Sequence, residues 1–199
     1  MIRLLVLSIC SFLLTSCSRH CDAIKQFKDF TNTFDVETQS IVRNGVLFEL
    51  KYQPAKLLAA RESQQLGADI SVQDSLLKKY SQYNYFLLSI SKKGRAIVDP
   101  KEGFSTYSAL IQTLSFQMEP YVNLTTSIGD TLDPIAYNFE HTYQLDNKSR
   151  LLFAFKKKKI PSQMDFNLLE FGLGCGNIQF KLDKNTLEKI YSSDENTTK

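Results

Sequence analysis

Six side chains in this 199-residue sequence stand out as nucleophiles, proton carriers or metal ligands: Cys10, Cys17, Cys21, Cys175, His20 and His141. A thiolate attacks carbon, binds metal or pairs with a second cysteine, and an imidazole titrates near neutral pH. Three of the cysteines and His20 crowd into the first 21 residues, while His141 and Cys175 stand in the second half. A zinc site needs three or four convergent ligands, and two groups this far apart in the chain offer none. Asp130, Asp133 and Glu140 lack the loop spacing of a calcium cage. No metal or cofactor is therefore expected. A Cys175–His141 pair, with Glu140 or Asp146 as orienter, would be the smallest thiol hydrolase site. Alternation along "NFEHTYQ" sets Glu140 and His141 on opposite faces of a strand, so Glu140 is badly placed to orient the ring. No serine lies in a nucleophile-elbow sequence. The preferred reading leaves the chain without catalytic residues.

Cys17 has a different context. Arg3 gives the chain a positive start, and Leu4 to Leu14 is an almost unbroken apolar stretch. That is the length of a signal-peptide core and too short for a permanent membrane span. Leu14, Thr15, Ser16 and Cys17 follow in order. These four resemble the lipobox of bacterial lipoprotein precursors. The resemblance implies that Cys17 receives a diacylglycerol thioether, that cleavage falls before it, and that its new amino group is acylated. Small residues let the protease reach the backbone, and only a thiol accepts the lipid. Charges interrupt every later apolar run, so the expectation is a protein anchored by lipid rather than spanning. With no acidic cluster after Cys17, the anchor is read as an outer-membrane one, with its face unassigned. The resemblance covers this segment alone.

Taking residues 1–16 from 199 leaves 183, enough for one sizeable core. Formal charge falls from +3 to +2 as Arg3 is lost, which gives no reason to expect nucleic acid as a partner. The expected partners are membrane lipid through Cys17 and an unidentified protein. Only Cys21 and Cys175 then remain as thiols, in a compartment that permits disulfides. A free Cys21 in a tether spanning residues 17–33 is the expectation, because a bridge to Cys175 would shorten its reach.

The segment 34–191 reads as a single α+β domain of mostly antiparallel sheet, sandwich-like, with one or two helices between the early strands and a disordered tail over 192–199. Asn44-Gly45 predicts a hairpin joining strands near 36–43 and 46–53. "PAKLLAARESQQLG" predicts a helix with Pro54 in its first turn and Gly67 at its end. A second helix is expected in "SVQDSLLKKYSQYN", capped by Asp74 or Ser71. Residues 105–118 fit a helical stripe through Leu110, Leu114 and Met118, and equally an alternation through Tyr107, Ala109 and Ile111. Five short apolar segments come next, then "DKNTLEKIY" as a helix capped by Asp183 or Asn185. Gly172, Gly174 and Gly176 resemble half of a dinucleotide loop. The strand-like "IQFKL" after them removes the helix N-terminus that phosphate needs, so a tight turn or bulge is the better reading. Lys156 to Lys159 are read as gatekeepers that blunt a sticky strand. The function expected is a non-enzymatic lipoprotein that binds or scaffolds a partner. Alternatives are a hydrolase using His141, or a binder of a small apolar ligand between sheet and helices.

Overall fold

The structure, a computed structural model, describes residues 38–67, 70–99, 101, 103–140, 147–157 and 162–195. Cys17, Cys21, His20, His141, Asp146, Lys158 and Lys159 lie outside the described residues. The chain divides into Met1–Asp35 and one compact unit, Val36–Lys199.

The frame of the Val36–Lys199 unit is two antiparallel sheets packed face to face, so the α+β class with a sandwich core holds. The larger sheet runs β1 (Gln39–Arg43), β2 (Val46–Gln53), β3 (Tyr83–Lys92), β8 (Ser149–Lys156) and β7 (Ala136–Glu140), with the short β4 (Arg95–Ala96) pairing with the end of β3. The smaller runs β10 (Ile178–Leu182), β9 (Met164–Leu168), β5 (Val122–Thr126) and β6 (Thr131–Leu132). Alternation decides the inner faces. Val46, Phe48, Leu50 and Tyr52 are buried along β2, and Ile178, Phe180 and Leu182 along β10. Between the sheets Phe166 of β9 meets Phe86, Phe153 and Phe155 of the larger sheet, at ring-centroid distances of 5.7, 6.0 and 6.2 Å.

Two helices lie between β2 and β3: α1 (Ala55–Leu66) and α2 (Ile70–Tyr80). They cover part of the outer face of the larger sheet, where Leu58 packs with Tyr85 and Ala154. That cover explains why "YFLLSIS" in β3 is nearly all apolar: it is buried on both faces, like a strand of an α/β protein. Gly67 closes α1 in the left-handed region, φ 59°. Two details differ from expectation. Pro54 is the residue before α1, with ψ 140°, and its carbonyl accepts from the N–H groups of Leu57 and Leu58. Asp74 and Ser71 both lie inside α2, which already begins at Ile70, so neither is its N-cap.

Residues Phe104–Phe116 are a helix, α3. Leu114 is wholly buried, and Tyr107, Leu110 and Ile111 pack partly on the core, which is the 3.6-residue stripe. A 3₁₀ turn, Glu119–Tyr121, leads from α3 into β5. The last helix, α4 (Lys184–Glu195), starts where Asp183 Oδ1 accepts from the Thr186 N–H at 2.8 Å and buries Leu187, Ile190 and Tyr191. It continues to Glu195, into the stretch 192–199 read as a tail. The gatekeeper reading of the lysine run also changes. β8 is an interior strand paired on both sides, and Lys156 stands only where it outruns β7; Lys157 Nζ sits 5.5 Å from the Tyr191 ring centre. Among the described residues no helix is long and apolar enough to cross a membrane.

The β1–β2 turn takes Asn44 at φ 49° and Gly45 at φ 75°, both left-handed. Replacing Gly45 with Val should cost about 1–2 kcal/mol or more, the penalty for a side chain forced into that region. A chemical denaturation midpoint identical to that of the parent would count against the turn.

Candidate functional site

The loop after β9 carries an unusual anchor. Leu169 to Asn177 join β9 to β10, and Gly172, Gly174 and Gly176 all take positive φ, 106°, 68° and 66°. This winding turns successive backbone N–H groups inward, a concavity that suits an anion. The anion is the chain's own Glu170. Its Oε1 accepts from the N–H groups of Gly172, Leu173 and Gly174 at 2.8, 2.6 and 3.0 Å, and Oε2 accepts from Gly176 N–H. Burial would raise the Glu170 carboxyl, but the four backbone donors outweigh it and hold the group below its ordinary value. The glycines are thus a turn, as the absence of a following helix implies, and the place a phosphate would take is filled. An acid placed just before a glycine at every second position was the signal for this, and it was missed.

The carboxylate fixes the loop, and the loop fixes its neighbours. Asn44 Nδ2, on the β1–β2 turn, donates to the Gly174 carbonyl at 2.6 Å. Cys175 Sγ is directed at the carbonyls of Arg43 and Leu173, at 3.5 and 3.6 Å. The Phe171 ring is tilted at 55° to that of Tyr121, centroids 6.1 Å apart. Burial first, and the Glu170 charge second, push the Cys175 thiol up, with Lys92 pulling the other way. The thiol is therefore protonated at neutral pH, opposite to the thiolate that a nucleophile needs. It is free in this structure. Glu140 ends β7, one edge of the larger sheet, whereas Cys175 abuts β1, the other edge. Glu140 cannot serve the thiol.

Phe171, Gly172 and Leu173 also wall a cleft of about 260 Å³. Its other walls are Val46 at the start of β2, Lys92 at the end of β3, Ile97 and Asp99 beyond β4, and one side of α3 from Thr106 to Thr113. The register pairs Val46 with Lys92, so one sheet end supplies both an apolar floor and a cation. Val46 and Ile97 are buried, and Leu110 and Leu173 pack beside them. Among the described residues no ion pair involves Lys92, and the Asp99 carboxylate accepts one hydrogen bond, from Lys101 N–H at 2.9 Å. Two opposite charges stand on this wall, and neither neutralises the other.

A second hollow, about 600 Å³ and wider at its mouth, lies between the α1–α2 pair and the outer face of the larger sheet. Half of its charge is committed, while Arg61 and Glu140 line it with no ion pair among the described residues. Glu62 accepts from the Tyr80 hydroxyl and pairs with Lys79 Nζ at 3.6 Å. Burial, then Glu62, raises the Tyr80 hydroxyl; burial, then Tyr83 and Glu62, lifts Tyr85 to about 12. Gln53 Oε1 has no partner but is fully enclosed, so nothing in the hollow reaches it as the side chains stand. Asp130, Asp133 and Glu140 form no metal cluster, and among the described residues no group of three acids, cysteines or histidines does.

No family model matches the chain, and no curated protein matches it. Among solved structures it is similar to a DUF4426 family protein from Pseudomonas aeruginosa PAO1, at 9% identity and TM-score 0.39, over 72% of this chain and 90% of that one. It is also similar to a protein of unknown function from Burkholderia pseudomallei K96243, at 8% identity and TM-score 0.41, over 92% and 93% of the two chains. At such scores the architecture rests on its own pairing and packing.

Glu170 gives a test with a definite sign. Its carboxyl is lowered in the folded chain, so its contribution is complete above the unfolded value of about 4.3 and disappears as pH falls through the lower folded value. Glu170→Gln should lower stability by about 1 kcal/mol at pH 7, a modest figure because water reaches these donors. The gap to the parent should close as pH approaches 3. Denaturation curves whose separation is the same at pH 7 and pH 3 would contradict the charge-based account.

Proposed function

We propose that the chain is an exported, lipid-anchored protein whose folded body binds a small amphipathic ligand in the cleft beneath α3, and that it is not an enzyme. The anchor is Cys17, in the bacterial outer membrane. Several acyl chains, at about 0.8 kcal/mol per buried methylene, would hold such a body at a membrane without any spanning helix.

One observation carries the ligand reading. The cleft has an apolar floor of Val46, Ile97 and Leu110, and its lining also carries Lys92, which makes no ion pair among the described residues, and Asp99, whose carboxylate accepts from the Lys101 N–H. Convergence of a few polar groups on an apolar concavity is the usual form of a small-molecule site. At about 260 Å³ the cleft lies just below the usual range of such sites, roughly 300–1,000 Å³, so the ligand is smaller than a cofactor. The state of Cys175 supports binding over catalysis, because its thiol is held protonated against backbone carbonyls.

The two halves of this reading are tested separately. Intact mass of the membrane-extracted protein should show an acylated amino terminus at Cys17, and Cys17→Ala should accumulate as unprocessed precursor. A soluble product beginning elsewhere would refute the anchor. For the cleft, Ala109→Trp places a ring there from an exposed helix position and gives a chain with no tryptophan its first one. Pooled small aromatic and aliphatic amphiphiles should show saturation transfer with the parent and lose it with this variant. Equal transfer to both proteins would refute the cleft.

A further inference from the structure

Resting on the reading of the α3 cleft as a ligand site, we propose that its ligand is a small zwitterion, an apolar α-amino acid of leucine or phenylalanine size. Its ammonium faces Asp99, its carboxylate faces Lys92, and its side chain lies against Val46, Ile97 and Leu110.

Size comes first. An apolar cavity of about 150 Å³ holds a benzene ring. A cleft of about 260 Å³ therefore has room for one ring or branched aliphatic group. The remainder, roughly 110 Å³, is the space of three or four waters at about 30 Å³ each. That is the scale of an ammonium–carboxylate head and excludes a nucleotide, a sugar chain or a long acyl chain lying wholly inside.

Charge then chooses the head. A neutral ligand would leave Lys92 and Asp99 as they are. A simple carboxylate would satisfy Lys92 but bring its charge towards Asp99, and a simple amine would do the reverse. Only a molecule carrying both signs answers both groups, which among the described residues are not paired with each other. Thr106 and Tyr107 add hydroxyls to the same wall, able to donate to a carboxylate or accept from an ammonium. The second hollow also carries an acid and a base without an ion pair among the described residues, Glu140 and Arg61, but at about 600 Å³ it is far larger than one such ligand, and Glu62 there is shared between Lys79 and Tyr80.

The experiment is calorimetric titration of the full chain in non-ionic detergent, with Ala109→Trp as the blank for uptake by micelles. The probes are L-phenylalanine, 3-phenylpropionate without the ammonium, phenethylamine without the carboxylate, benzyl alcohol without either, and glycine without the apolar group. L-phenylalanine should bind at least tenfold more tightly than each of the others. Lys92→Ala should abolish its advantage over phenethylamine while keeping that over 3-phenylpropionate. Asp99→Asn should do the converse. Both positions lie on the cleft wall outside the packed core, so these variants should fold like the parent. If the three aromatic analogues bind as well as phenylalanine, and all lose binding in Ala109→Trp, the zwitterion is wrong and the cleft reading stands. If no probe binds the parent beyond the blank, this inference is overturned and the cleft reading loses its support as well.

Discussion

Phe166 is the side chain on which the two sheets are registered. It is wholly buried at the middle of the smaller sheet and makes ring contacts with three phenylalanines of the larger one and with Phe180 beside it. Edge-to-face rings have preferred separations and angles, so the cluster sets the distance between sheets as well as filling it. Removing such a ring costs about 3–5 kcal/mol, a large part of a domain stability of about 5–15 kcal/mol. With the sheets so spaced, Leu114 and Met118 bury fully, and one side of α3 remains lifted off the end of β2 and β3. The cleft is what is left there.

The loop over Leu169–Asn177 derives from the same frame. β9 and β10 must be joined across the cleft's rim, and a carboxylate with four backbone donors ties that joint together. Polar groups satisfied so completely are seldom available for chemistry. Glu170 and Cys175 therefore belong to the scaffold, and the groups left over, Lys92 and Asp99, belong to the cleft. The two hollows differ in part: Glu62 is shared with Lys79 and Tyr80, whereas Lys92 makes no ion pair among the described residues.

What the sequence made legible was local. Asn44-Gly45 announced its turn because only a few residue types tolerate left-handed φ. Val46 to Tyr52 and Ile178 to Leu182 announced their inner faces by strict alternation. Residues 105–118 were ambiguous because uncharged small residues separate the apolar ones, leaving both periods intact until Leu114 is seen in the core. Asp74 misled as a cap because the helix had already begun at Ile70. The candidate site could not be read in advance for a topological reason. Its walls come from four separate stretches, around residues 46, 92–99, 106–113 and 171–173, and no spacing rule links a lysine at one strand end to an aspartate past the next turn. The lipobox-like stretch Leu14 to Cys17 is different in kind: such a motif would address an enzyme that reads sequence, so the resemblance can be noticed without any fold.

The central claim is that this protein's working surface is the α3 cleft. Amide chemical-shift mapping of the full chain with added L-phenylalanine tests it most directly. The account predicts shifts concentrated at Val46, Lys92, Ile97 to Asp99, Thr106 to Thr113 and Phe171 to Leu173. Shifts centred on Glu62 and Tyr80, or spread evenly over the surface, would contradict it.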